Sequence, residues 1–432
     1  MAKYNSNLKI IVGLGKTGMS CVRYLAKQGF NLAVVDSRVD PPGLAELRQN
    51  FPDIQVYLGG FDEDILSQAN ELIISPGVAL SEPAIAACLK RGIKAIGDIE
   101  LFARATKTPI VAITGSNGKS TVTSIVGAMV EAAGIKVGVG GNLGKPALDL
   151  LSEEADFYVL ELSSFQLETT KSLQAEAAVV LNISSDHMDR YRDLAEYLTA
   201  KQRIYSGCRA AVINRDDPLS YDNVVLPQKT ISFGVDDGYL MYGNEKLLLA
   251  DELKIKGRHN AVNALAALAL GKAINLPLSA MIKALRDFPG LPHRCQWIAK
   301  INNIDWYNDS KGTNVGATGS AIEGLGVECK GKIILIAGGI AKDKDFSLLH
   351  DPVARYARAV VLIGKDAELI ERALTGASKI LHASSMADAV AISNREALSG
   401  DAVLLSPACT SFDMFNNFEH RGEVFAMEVK KL

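Results

Sequence analysis

Ile110-Val111-Ala112-Ile113-Thr114-Gly115-Ser116-Asn117-Gly118-Lys119-Ser120-Thr121 is the stretch on which the reading of this chain turns. Four apolar residues lead into a glycine loop that closes on Lys-Ser-Thr, and an apolar, helix-like run from Val122 to Val130 follows. That is the order of a buried parallel strand, a phosphate-cradling loop and a helix N-terminus. Glycines let backbone N–H groups close around phosphate oxygens; Lys119 adds a point charge, and Ser120 or Thr121 offers magnesium a hydroxyl. The loop is shorter than the pattern G-x-x-x-x-G-K-[ST], which would place glycine at 113, where Ile113 stands. A glycine turn capped by serine would account for the bend, but not for a lysine and two hydroxyls directly after it. A nucleoside-triphosphate site is therefore expected, held by Gly115, Ser116, Asn117, Gly118, Lys119, Ser120 and Thr121.

A chain of 432 residues exceeds one ordinary core, so two to four domains are expected. With 46 basic and 49 acidic residues, no basic surplus points to nucleic acid. The N-terminus lacks a signal-peptide pattern and no apolar run approaches about 18 residues, so a cytoplasmic chain without a membrane span is expected. Nothing calls for a partner chain, and a monomer is the expectation. Six cysteines are scattered without a C-x-x-C pair and read as reduced thiols, not as a disulfide frame or a zinc site.

Outward from the loop, the grammar is α/β throughout. Leu8 to Val12 reads as a strand, and Gly13-Leu14-Gly15-Lys16-Thr17-Gly18 follows at once. A helix to about Lys27 and a strand from Leu32 that ends on Asp36 complete a βαβ start, which alone fits a dinucleotide fold as well as any other nucleotide fold. A strand from Glu71 to Ile74 runs into Ser75-Pro76-Gly77, and the first domain closes near Gly97. The second, 98–290, holds the phosphate loop and long apolar strands separated by helices, the mark of a parallel sheet covered on both faces. The third, 291–432, repeats the pattern on a smaller scale: Lys332 to Ala337 into Gly338-Gly339, and Ala402 to Leu405 into Ser406-Pro407.

In open parallel sheets ligands bind beyond the carboxyl ends of the strands. Three strands of the middle domain end in reactive residues: Lys119 and Ser120, then Glu161, then His187. One rim thus collects an ammonium, a hydroxyl, a carboxylate and an imidazole, a set suited to magnesium on a polyphosphate. Each has a plainer reading. Glu161 precedes Leu162-Ser163-Ser164 and could serve a helix cap; His187 could sit in a polar turn; Lys201, on an expected helix from Leu194 to Tyr205, could simply be solvated.

With these residues in hand, the chain resembles the Mur ligases of bacterial peptidoglycan synthesis, end to end. The shortened loop Thr114 to Thr121 is the form shared by Mur ligases and folylpolyglutamate synthases. Gly140-Gly141-Asn142, Glu161 to Leu167, Asn182 to Asp189, Gly257-Arg258-His259-Asn260 with Asn263, and Leu291-Pro292-His293-Arg294 fit the same family. Asn308-Asp309-Ser310-Lys311-Gly312-Thr313-Asn314 is similar to the string of the members that add D-glutamate, and Ser406 to Asp413 with Asn417-Phe418-Glu419 agrees.

The resemblance implies three domains: a Rossmann-like N-terminal domain for a UDP-sugar, a central P-loop parallel-sheet ATPase-like domain, and a smaller Rossmann-like C-terminal domain that takes the incoming amino acid and closes on ATP. It implies an ATP-dependent amide ligase that adds D-glutamate to UDP-N-acetylmuramoyl-L-alanine through an acyl phosphate. Gly15, Lys16, Thr17 and Gly18 would hold the diphosphate; Asp36, Ser37 and Arg38 would face the uridine with Gly77 alongside; Asn142 would meet the muramoyl group. Lys119 would bind the ATP phosphates. Two magnesium ions would sit on Ser120 with Glu161, and on His187 with Lys201, the latter as a carbamate formed with CO2. Asn260, Asn263, Arg294, Asp309 and Lys311 would orient the adenine, ribose and terminal phosphate. Thr313, Ser411, Phe418 and Lys342, with Lys344 close enough to compete, would receive D-glutamate. Three rivals remain beside this: a nicotinamide-dependent oxidoreductase built on the first glycine motif, a phosphate-loop switch without ligation, and a folylpolyglutamate synthase.

Overall fold

The computed structural model describes residues 7–432 except 189, 235–238, 243–244, 250–251, 256 and 343–344, and the backbone alone of 239–242 and 245–249. Lys344, one of the two lysines expected at D-glutamate, and Asp189 of the quoted histidine string lie outside the described residues.

The first sheet has five parallel strands: β1 (Leu8–Val12), β2 (Asn31–Asp36), β3 (Gln55–Leu58), β4 (Glu71–Ile74) and β5 (Lys94–Ile96), in the order β3-β2-β1-β4-β5. The order reverses between β1 and β4, which opens a crevice between the loop after β1 and the loop after β4. The helix Lys16–Lys27 starts inside the first of these loops. Its third residue is Gly18 for a steric reason: a Cβ there would stand 2.0 Å from the Gly13 carbonyl oxygen, so only glycine lets the helix lie this close to the strand.

The second sheet is also wholly parallel. It contains β6 (Ile110–Thr114), β7 (Val137–Gly141), β8 (Phe157–Glu161), β9 (Ala177–Val180), β10 (Ala210–Asn214) and β11 (Lys229–Phe233), ordered β11-β10-β9-β6-β8-β7. Every residue of β6 and β9 is buried, and a strand covered on both faces reads as the unbroken apolar run seen in the sequence. One face packs on the helices Lys119–Ala132, Arg258–Ala273 and Leu278–Asp287, through Val111, Ile113, Val126, Leu268 and Met281. The other face packs on the first domain. Ala112, Leu160 and Val180 of the second sheet share one core with Val22, Leu25 and Phe102, and the Phe102 ring meets that of Tyr158 edge-on at 5.0 Å. The helix Asp98–Ala105 is thus a wedge common to both units, and no solvated linker separates them. A two-stranded antiparallel hairpin, β12 (Tyr239–Tyr242) and β13 (Glu245–Leu249), completes this region.

The third sheet differs from its sequence reading. Its strands are β14 (Gln296–Ile301), β15 (Ile304–Asn308), β16 (Ile333–Gly338), β17 (Ala357–Ile363), β18 (Lys379–His382) and β19 (Ala402–Leu405), ordered β14-β15-β19-β16-β17-β18. β14 pairs antiparallel with β15, so the sheet is mixed. The hairpin turns on Asn302-Asn303, both with positive φ (51° and 62°). This is the backbone that a two-residue hairpin needs and that asparagine tolerates. No glycine marks the turn, which is why the hairpin is easy to miss in the sequence. Among the described residues no helix is long and apolar enough to cross a membrane, and all six cysteines are free.

Replacing Gly18 by alanine is expected to lower stability by about 1–3 kcal/mol, because the backbone of the first loop must move to admit the methyl group. The first transition in chemical denaturation measures this; an unshifted midpoint would show that the loop yields freely.

Candidate active site

The crevice of the first sheet opens into a cleft of about 590 Å³, completed by the second domain. Gly15, Lys16, Thr17, Gly18, Asp36, Ser37, Arg38 and Gly77 line it from one side, and Asn142 and Gln166 from the other. Lys16 crosses the boundary, donating from Nζ to the Gly144 carbonyl at 2.6 Å. Asp36 is turned inward. Its Oδ2 accepts from the Leu14 N–H (2.6 Å) and Arg38 Nη2 (2.7 Å), and its Oδ1 from the Arg38 N–H and Nε (both 2.9 Å). Burial raises the Asp36 carboxyl, but the Arg38 guanidinium and these backbone donors outweigh it and hold the group below the usual carboxylate range. With four donors already engaged, Asp36 shapes the loop and aims Arg38, and has little left to offer a ribose hydroxyl. That geometry counts against the nicotinamide rival, whose acid must bind the ribose.

The phosphate loop lies between β6 and the helix Lys119–Ala132. Gly118 takes up the left-handed backbone (φ 81°), and a Cβ there would meet Asn263 Oδ1 at 2.3 Å. This close approach sets the start of the helix Arg258–Ala273 against the loop, where Asn263 donates to Asn260 Oδ1 at 3.2 Å. The loop is tied to the end of β9 as well: Ser116 Oγ donates to the Ser184 carbonyl, and the Asn117 N–H to Asn182 Oδ1. Lys119 curls over its own loop, with Nζ 2.7 Å from the Gly115 carbonyl and 2.8 Å from that of Ser116. Burial lowers the Lys119 pKa, and Arg294 and Lys342 add to this against Glu161 and Asp186.

β8 ends on Glu161, paired in register with Ile113 of β6 and Gly141 of β7. The residue is 3% exposed, and its carboxylate accepts a hydrogen bond from Ser120 Oγ on Oε2 and one from Asn142 Nδ2 on Oε1 (2.7 Å). Arg294 of the third domain donates to the same Ser120 Oγ at 2.6 Å. Cleft, phosphate loop and third domain are therefore joined through Asn142, Glu161, Ser120 and Arg294. The helix-cap alternative for Glu161 does not hold: Ser163 caps the following helix, in a capping box with Gln166.

Lys201 sits on the helix Leu194–Gln202, which is shorter than expected because residues 203–205 tighten into a 3-10 turn. It is not the solvated lysine that its spacing allowed. Only 2% exposed, it places Nζ 2.9 Å from the Gly115 carbonyl and 4.6 Å from the centre of the Tyr197 ring. Burial, with the nearby charge of Lys119, pushes its pKa well down and favours the uncharged amine.

His187 adopts φ 60°; its Nε2 lies 3.5 Å from Asp186 Oδ2 and its ring meets Phe165 at 4.9 Å. Asp186, given no role of its own in the sequence, proves to be a hub. It is buried, 3.4 Å from Lys342 Nζ, and accepts from Asn314 Nδ2 at 3.2 Å. Burial raises its carboxyl, but Lys342, then His187, Lys119 and Lys201, bring it below the usual range. Its signal was its place beyond a strand end; two of its partners, Lys342 and Asn314, come from another domain.

Thr313, Lys342 and Ser411 follow β15, β16 and β19, which are neighbours in the third sheet. Buried Arg421 binds the loops after β15 and β19 together, donating to Ser310 Oγ, the Ser310 carbonyl and the Cys409 carbonyl at 2.9–3.1 Å, and Ile340 after β16 bridges to Thr410. Lys311 Nζ stands 3.9 Å from the centre of the Phe418 ring. Burial, with Arg294 close by, lowers the Lys311 pKa to about 8. Asp309 accepts from Ser406 Oγ and the Cys295 N–H, and burial raises its carboxyl to about 6. Among the described residues no three His, Cys, Asp or Glu side chains gather at one point. A divalent ion here would take hydroxyl and phosphate oxygens beside one carboxylate, a set that magnesium accepts.

Three family descriptions match the chain in succession: the Mur ligase MurD-like N-terminal domain over residues 7–97, the Mur ligase middle domain over 113–271, and the Mur ligase glutamate ligase domain over 293–409. A protein of Nitrosococcus oceani is 54% identical over 98% of this chain and 96% of its own length. One from Coxiella burnetii is 52% identical over 99% and 100%. Both bear the name UDP-N-acetylmuramoylalanine–D-glutamate ligase. In fold the chain is similar to a pseudomurein peptide ligase type C from Methanothermus fervidus (18% identity, TM-score 0.62, 99% and 100% covered). It is similar also to a UDP-N-acetylmuramate–alanine ligase from Thermotoga maritima (17%, 0.62, 98% and 99%).

Between its ordinary value of 3.8 and about 6, folded Asp309 keeps a proton that the unfolded chain has lost. Stability from the protonated form is present at pH 4 and is lost as the pH rises through 6. The stability difference between the parent and Asp309→Asn should therefore move toward the variant by up to roughly 3 kcal/mol between pH 4 and 7. Denaturation at each pH measures it; a constant difference contradicts the assignment.

Proposed function

The chain belongs to the Mur ligase family, and we propose that it joins D-glutamate to UDP-N-acetylmuramoyl-L-alanine with cleavage of ATP, in cytoplasmic peptidoglycan precursor synthesis. Full-length identity of 52–54% to relatives of that name supports the substrate pair. The observation that carries the chemistry is the polar path from Asn142 through Glu161 and Ser120 to Arg294, which sets the cleft against the phosphate loop and the loop against the third domain.

The L-alanyl carboxylate attacks the terminal phosphorus of ATP, giving an acyl phosphate and ADP. The amine of D-glutamate then adds to the acyl carbon, phosphate leaves, and the nitrogen sheds a proton. A bare carboxylate resists the amine because oxide would have to depart; phosphorylation supplies phosphate as the leaving group. The protein's task is alignment and charge neutralisation. In this reading residues 1–97 hold the UDP-sugar, 98–290 hold ATP, and 291–432 bring the amino acid. Lys16 and the loop N–H groups bind the diphosphate, while Arg38, aimed by Asp36, meets the uridine. Lys119 leaves its loop carbonyls for the ATP phosphates, with Asn260, Asn263, Arg294 and Lys311 around the nucleotide. Thr313, Ser411, Phe418 and Lys342 receive D-glutamate, the lysine exchanging Asp186 for a substrate carboxylate.

The hydroxyl of Ser120 and the carboxylate of Glu161 suit a first magnesium ion, and His187 with a carbamate on Lys201 would hold a second; bound there, the ions would offset the charge of the transferring phosphoryl group. The buried amine of Lys201 supports the carbamate, since the uncharged form is the one that adds to CO2, losing a proton as the N–C bond forms. In this reading the chain acts as a monomer.

Phosphate release is expected only when ATP, the UDP-sugar and D-glutamate are all present, and other amino acids offered in place of D-glutamate should not sustain it. Release that ignores D-glutamate would favour a phosphate-loop switch. Lys201→Ala should lose at least 100-fold in kcat, with partial recovery on adding small carboxylic acids. Full activity in the unrescued variant would dispose of the carbamate.

A further inference from the structure

The loop after β4, residues 75–78, is a tight turn: the Val78 N–H returns to the Ser75 carbonyl, and Ser75 Oγ donates to the Gly13 carbonyl. It forms one wall of the cleft. Its two outer carbonyls are not left to water. Arg190 of the second domain reaches across and donates from Nη1 to Pro76 O and from Nη2 to Val78 O, both at 3.1 Å. The side chain is 15% exposed and lies 3.5 Å from Glu168. Its guanidinium covers the face of Phe165 at 4.3 Å, and Phe165 packs against the His187 ring and stacks on Tyr191 at 5.8 Å. The N–H groups of Arg190 and Tyr191 both return to the His187 carbonyl, closing the turn that holds His187 at positive φ.

One side chain thus grips the cleft wall at its tip, an aromatic ring along its plane and the His187 turn through its own backbone. Two carbonyls at a fixed spacing match the planar fork of arginine, which the single ammonium of lysine cannot reproduce. We propose that Arg190 is a positioning residue that fixes the distance between the sugar-nucleotide cleft and the His187 loop, so that a ligand seated by its nucleotide end presents its carboxyl end at the phosphate loop. This rests on the reading of the cleft as the UDP-sugar site. D-glutamate, held by loops of the third domain, does not sense the strut. A contact that merely stabilised the fold would affect all three substrates alike.

The test is the kinetics of Arg190→Lys and Arg190→Ala in the full chain, with Arg203→Lys as a surface control, and calorimetric binding of the UDP-sugar to the parent. The expected result is a KM for the UDP-sugar raised about tenfold or more in Arg190→Lys, with a lower kcat and with KM for D-glutamate within twofold of the parent. Hydrogen exchange on the parent keeps the question open to test should the variants fail to fold: binding of the UDP-sugar alone should slow exchange in 187–191 together with 75–78. Unchanged constants in a folded Arg190→Lys, a parallel rise in all three KM values, or protection confined to the first domain overturns the proposal while leaving the cleft reading intact. Failure of the parent to bind the UDP-sugar overturns the cleft reading and the strut with it.

Discussion

The carboxylate of Glu161 is the point on which the rest of the arrangement depends. It ends a strand paired on both sides, so its backbone cannot shift without disturbing β6 and β7. A buried carboxylate is costly unless its oxygens are engaged, and here one oxygen takes Ser120 and the other Asn142. Those two partners belong to the phosphate loop's helix and to the wall of the first-domain cleft. Arg294 then joins from the third domain through Ser120. The need to satisfy one buried anion therefore brings together the cleft, the phosphate loop and the third domain.

The two domain boundaries are physically unlike. The first and second domains share an apolar core through the helix Asp98–Ala105, and apolar burial of that kind resists separation. The third domain has cores of its own and meets the second through polar contacts: Arg294 on Ser120, Asn314 on Asn117 and Asp186, Lys342 on Asp186, and Glu328 on the Gly257 N–H. Such bonds exchange with water at a small net cost, so this boundary parts more readily than the apolar one. The Arg190 strut lies on the rigid side of this division, where a fixed distance has value.

Much of the site was legible because the first two sheets are parallel. Long apolar runs ending in glycine mark strands whose carboxyl ends lie on one rim, so Ser120 and Glu161 were legible as neighbours before any coordinate. The shortened loop and the strings around Asn142, His187, Arg294 and Asp309 also carried a family pattern. What escaped had weaker signals. β14 and β15 turn on two asparagines instead of glycine, and their half-exposed strands lack the apolar run. Asp186 stood beside a histidine in a polar string, and nothing local distinguishes a hub from a solvated turn. Lys201 looked like a surface lysine because helical spacing says nothing about which side of the helix another loop will cover.

The sequence by itself determined the classes of the elements, the parallel topology of the central sheet and the phosphate loop, because those follow from local backbone chemistry and hydrophobic period. Only the tertiary structure decided the partners. That Asp36 turns inward to take the Leu14 N–H, that Lys201 is buried beneath Gly115, and that Arg190 spans a domain boundary all depend on residues far apart in the chain. Charge and hydrogen-bond capacity are written in each residue, but what neutralises them is settled by packing, where long-range contacts choose one partner from many of equal local merit.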